Sequence, residues 1–98
     1  MLKISEGQRI KRTVTLRLEG RIVGPWVDEL QQVCQQMLEK DRGLALDLAE
    51  IVFLDEAGIH LLASLRSRGT KLLNLTPFVG EQLRSVETKK VTDQAAGF

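Results

Sequence analysis

A chain of 98 residues, 43% hydrophobic and 28% charged, has the make-up of one ordinary globular domain with enough apolar material for a core and little to spare. A net charge of +1 points away from nucleic acid or an anionic bilayer as partner. The richest apolar run, between Leu44 and Leu65, is broken by Asp47, Glu50, Asp55 and Glu56, so direct membrane insertion is not expected.

The opening "MLKISEGQRIKR" has no apolar centre of the kind a signal peptide needs, and a cytoplasmic location is expected. A short strand around Leu2–Ile4, turned by "EGQR", is expected to pair with "TVTLRLEG". In that second strand Val14, Leu16 and Leu18 alternate with polar residues, the period of a half-buried strand. Gly24 and Pro25 then stop one element and start the next. Trp26, Val27, Leu30, Val33, Cys34, Met37 and Leu38 recur at helical spacing, and Gly43 serves as the stop signal. "LALDLAEIVFLD" reads as a buried strand over Leu44–Leu48 with a short connection to Asp55. "EAGIHLLASLRSRG" reads as a second helix closed by Gly69, "TKLLNL" as a strand, and "TPFVGEQLRSV" as a third short helix opened by Thr76 and Pro77. Residues 1–86 form the domain, and 87–98 are expected to be a mobile tail. The element order implies an α/β fold. A mixed sheet, parallel in its later strands with right-handed crossovers, packs against amphipathic helices.

The chemistry-bearing stretch is "FLDEAGIHLL", residues 53–62. If the second helix begins near Glu56, Asp55 is its N-cap and accepts from an otherwise orphan amide. Glu56 then stands where the helix dipole favours negative charge by ~0.3–1 kcal/mol. Gly58 lets a neighbouring backbone approach. An acidic cap with no further role explains this much. Helical spacing, however, puts Gly58, Leu61, Leu62 and Leu65 on the core face and Ile59, Ala63 and Arg66 on the opposite flank, with His60 beside them. An exposed Ile59 next to Ala63 and a charged cap makes a protein-docking strip.

From Val14 to Leu83 the chain resembles the STAS domain, the fold of bacterial anti-sigma factor antagonists. The resembling pieces are "VTLRLEGRI", the helix after it, "LALDLAEIVFLDEAG" and "IHLLASL". The resemblance implies a non-enzymatic module for transcription regulation and signalling. In the antagonist branch a kinase, itself the anti-sigma factor, phosphorylates a hydroxyl residue that follows the aspartate at the start of the second helix. The aspartate matches Asp55, and the hydroxyl position holds Glu56, followed by Ala57 and Gly58. Val23 stands where the family often has an acid, in "GRIVG". No phosphoacceptor is therefore carried over at the family position. Ser64, Ser67 and Thr70 are the places to which such a switch could have moved. The partner-binding residues implied are Asp55, Glu56, Ala57, Gly58, Ile59, His60 and Ala63, and the partner an anti-sigma factor or related switch kinase. An alternative drawn from the same family is a subunit docking on the cytoplasmic ATPase of a bacterial lipid-transport complex. Self-association and nucleotide binding stay open.

Other residues offer less. His60 is the sole histidine and has no partners for a triad or metal site. Cys34, the single cysteine, reads as a buried inert thiol, and Trp26 as a core anchor. No metal or cofactor is expected. "GRIVGPW" fails the phosphate-loop pattern. Arg9, Lys11 and Arg12 read as solvating a sheet edge. Residues 1–21 hold six basic groups and two acids, whereas 28–56 hold eight acids, Lys40 and Arg42, which allows an acidic surface shaped for a basic partner.

Overall fold

The computed structural model describes the backbone of residues 1–40 and 43–96 and the side chains of 1–40 and 43–87. Alternation at Val14, Leu16 and Leu18 makes a strand, as the two-residue period requires, and this strand organises the sheet. It is β2, Thr13–Ile22, and it pairs antiparallel with β1, Leu2–Ile10, and parallel with β3, Gly43–Leu54. The fourth strand, β4, Lys71–Leu73, lies parallel beside β3, so the order is β1-β2-β3-β4. Three helices complete the fold: α1, Pro25–Glu39; α2, Glu56–Ser67; and α3, Pro77–Ala96. α2 touches both α1 and α3, and all three helices reach β3, so they form one layer over one face of the sheet.

β1 is longer than "EGQR" as a turn allows. Pairing with β2 continues through a register shift between Glu6 and Arg9, and the chain turns at Lys11–Arg12 instead. Glu6 and Arg9 form an ion pair within the strand. β3 likewise runs beyond Leu48 to Leu54. Its apolar alternation fails because the register against β2 shifts twice, between the pairs Arg17–Asp47 and Glu19–Glu50, and again between Gly20–Ile51 and Arg21–Phe53. Each shift adds one residue to β3. Leu44, Leu46, Leu48, Ile51 and Leu54 thereby all stay buried beside β2, at the cost of an irregular sequence pattern.

Gly43 starts β3 rather than capping α1, which ends at Glu39; Asp41 and Arg42 lie outside the described residues. On α1, Val27, Leu30 and Cys34 are buried, and Trp26, Val33, Met37 and Leu38 pack against the core from its margin. Burial raises the Cys34 thiol pKa to about 11, against a smaller lowering pull from Arg68, which keeps it protonated and unreactive at neutral pH. Asp47 accepts from Asn74 Nδ2 at 3.0 Å and from Ala49 N at 3.1 Å, tying β3 to the end of β4. α3 opens at Thr76, whose Oγ1 accepts from Val79 N at 3.3 Å, and buries Val79 and Leu83. Its helical backbone continues through residues 87–96, within the stretch expected as a mobile tail; residues 97 and 98 lie outside the described residues.

Candidate functional site

Parallel strands β2 and β3 end side by side, and each feeds a helix. Ile22 O accepts from Asp55 N at 3.2 Å, which ties the two strand ends together. Asp55 then leaves the strand with φ −85° and ψ 178° and caps α2: its Oδ1 accepts from Gly58 N at 2.7 Å. Its other oxygen, Oδ2, accepts from Gly24 N at 2.9 Å, thirty-one residues away. One carboxylate therefore joins the cap of α2 to the loop that opens α1. Gly58 is where the layers meet most closely. A Cβ placed there would lie 2.5 Å from Ile22 O, so only glycine lets α2 begin against the end of β2.

The hydrogen bonds from Gly24 N and then Gly58 N hold the Asp55 carboxyl below the ordinary carboxylate range. Asp47 is lowered too, by Asn74 first and Ala49 second. Both groups have folded-state pKa values below their unfolded ones. The stability they contribute is complete above the unfolded carboxylate range and is lost as pH falls through the folded values. Urea melts between pH 7 and pH 3 should thus show stability falling on the acid side of about pH 4. Asp55→Asn should flatten that fall, and an equally steep one in the variant would contradict the assignment.

Glu56 is the first residue of α2, and its side chain is 90% exposed. Its Oε1 lies 3.8 Å from His60 Nε2, one helical turn along, and the His60 side chain is 59% exposed. Ala57 is exposed as well. These three residues form the accessible mouth of the helix, while Asp55 and Gly58 build it from beneath. The docking strip expected around Ile59 is corrected here. Ile59 is only 8% exposed and belongs to the core cluster, and Ala63 is half-buried against that cluster. α2 is flanked by α1 and α3 as well as backed by the sheet, so its buried stripe is wider than periodicity against a single surface implies. The outward strip is polar: Glu56, His60, Ser64 and Ser67, the last donating from Oγ to Ser64 O at 2.7 Å. Thr70 is buried, which removes it as an accessible modification site.

Sequence reasoning treated Gly24 as punctuation and missed its bond to Asp55; a positive φ of 52° before Pro25 marks it as a built loop. Val52 and Phe53, expected in a short connection to Asp55, instead lie within β3, and both are exposed just before the cap. Among the described residues no three His, Cys, Asp or Glu side chains converge on a point that could hold a metal ion, and no helix is long and apolar enough to cross a membrane.

Solved structures share this architecture. The anti-sigma factor antagonist SpoIIAA in its unphosphorylated form superposes with a TM-score of 0.66 at 18% identity, over 98% of this chain and 100% of that one. A structure described as that of Mglu gives 0.58 at 21% identity, over 71% of this chain but only 19% of that much longer one. Comparison with the sequences of curated proteins gives no match. The STAS domain family model matches residues 5–84, spanning β1 to α3 and the whole junction around Asp55, and the chain belongs to the STAS domain family.

Proposed function

We propose that the chain is a non-enzymatic regulatory module of the anti-sigma factor antagonist kind, which binds a protein partner through the start of α2. The partner class is an anti-sigma factor or a related switch kinase. The observation that carries this reading is Glu56, an anionic side chain 90% exposed on a rigidly capped helix start. Membership of the STAS family and the fold shared with SpoIIAA, described as an anti-sigma factor antagonist with an unphosphorylated form, support it.

The chemistry follows from the charge. A phosphoserine at a helix start would place ~−2 on the orphan amides. Glu56 places −1 there permanently, so the charge does not wait for a kinase and cannot be removed at this position. Regulation by phosphorylation at the family position is thereby lost, or moved to an exposed hydroxyl such as Ser64 or Ser67.

Crosslinked affinity capture from native cells, wild type beside Ala57→Trp, tests the reading. Ala57 is exposed, so the indole is tolerated by the fold and obstructs only what docks on the helix start. Ile59 is unsuitable for this purpose because a polar substitution there would enter the core. Capture of a soluble switch kinase by wild type and its loss in Ala57→Trp is the expected result. Recovery of an ATPase–permease complex instead would assign the chain to lipid transport, and equal capture by both would move the docking surface elsewhere.

A further inference from the structure

Two apolar side chains beside the helix start do nothing for the core. Val52 is 67% exposed and Phe53 45%. The second register shift leaves Val52 without a counterpart on β2 and sets Phe53 opposite Arg21. A shift that served only to keep Ile51 and Leu54 buried needs no large apolar side chain at either place, and the first shift carries the small Ala49 and the charged Glu50, both exposed. Arg21 is itself exposed, and its N–H donates to the carbonyl of Met1, another exposed apolar residue, at 3.0 Å. Phe53 and Met1 thus flank Arg21 on either side, with Val52 next to Phe53, at one end of the sheet face that no helix covers.

The next row along that face carries both signs of charge. Lys3 pairs with Glu19 in register, Glu19 with Glu50, and Lys3 Nζ lies 3.8 Å from Glu19 Oε2. A rim of one sign would repel a copy of itself and select an opposite partner. A rim of both signs around an apolar centre is self-complementary, which is what a two-fold interface demands, since it sets one patch against itself. Edge pairing is a poorer route: β1 is interrupted by its register shift and carries Lys3, Glu6 and Arg9, and β4 has three residues.

We propose that this end of the open sheet face pairs two copies of the chain about a two-fold axis, with Val52 and Phe53 at its centre. The patch is small beside the ~800 Å² per partner of a stable interface, so the dimer forms in a concentration-dependent way. It also lies within four residues of Glu56 in sequence. The pairing does not depend on the functional reading above.

Sedimentation velocity of the purified full chain across the micromolar-to-millimolar range tests this. Wild type should pass from monomer to dimer, and Val52→Asp and Phe53→Ser should each weaken association roughly tenfold or more, with unchanged circular dichroism. Val52→Cys should form a disulfide-linked dimer under mild oxidation, whereas Ser67→Cys, on the helical layer, should not; Cys34 is buried and does not interfere. A monomer at every concentration, or a dimer indifferent to both substitutions, overturns the proposal. If Phe53→Ser disturbs folding, Val52→Cys decides alone. Because only this chain is present, failure here leaves the partner reading standing, and failed partner capture leaves the dimer standing.

Discussion

Gly58→Ala is expected to lower the stability of the chain by about 1–3 kcal/mol, the usual cost of forcing extra volume into a packed site. The direction is the informative part. Alanine inside a helix is ordinarily better than glycine by ~1 kcal/mol, so propensity alone predicts the opposite sign. Here the new methyl would sit 2.5 Å from Ile22 O, 3.2 Å from Ile22 Cγ2 and 3.3 Å from Asp55 Oδ1. The first of these is backbone, fixed by its bond from Asp55 N, and cannot swing aside. α2 must shift outward at its first turn, which also displaces Asp55 from Gly24. Thermal melts followed by circular dichroism should show a fall of ~4–8 °C for each kcal/mol lost. An unchanged or raised midpoint would mean that α2 does not begin against β2 as described.

Asp55→Ala is expected to cost about 1–2 kcal/mol, the upper part of the range for removing an N-cap side chain, and to do more than fray a helix end. It frees the amide of Gly58 in α2 and the amide of Gly24 in the loop before α1. Amide exchange should therefore accelerate at both places, thirty-four residues apart, from one substitution. Asp55→Asn should fall between wild type and alanine, since its single carbonyl oxygen replaces one of two acceptors and the charge is gone. Protection lost at Gly58 but retained at Gly24 would reduce Asp55 to an ordinary cap.

Much of this was legible from residue order. Val14, Leu16 and Leu18 announced β2, the Val27–Leu30–Cys34 spacing announced α1, and Asp55 before an apolar helix announced the cap of α2. These signals are local, and local periodicity is what a chain states openly. The errors came where a second element decided the outcome. Ile59 lies on the far side of the helix from Leu61 and only at the margin of the stripe that Leu62 shares, yet two flanking helices draw it into the core. Val52 and Phe53 sit in an apolar run, yet a register shift against β2, invisible in the run itself, leaves them exposed. The bond from Gly24 to Asp55 joins two loops and had no signature beyond a glycine before a proline. β1 outran its expected length because Glu6 and Arg9, which read as turn residues, lie on a solvent-washed edge where charge is tolerated.

The central claim is that a protein partner grips the permanently anionic mouth of α2, and the most direct test is the dissociation constant of the captured partner for wild type and Glu56→Lys. Glu56 makes no contact with the core, so the variant should keep the wild-type fold, its melting temperature lowered only by the loss of a favourable charge at the helix start, on the order of 1 kcal/mol. Its dissociation constant should rise roughly tenfold or more, the scale of losing a charge-assisted contact. Binding of equal strength, by a variant folded as well as wild type, would contradict the account.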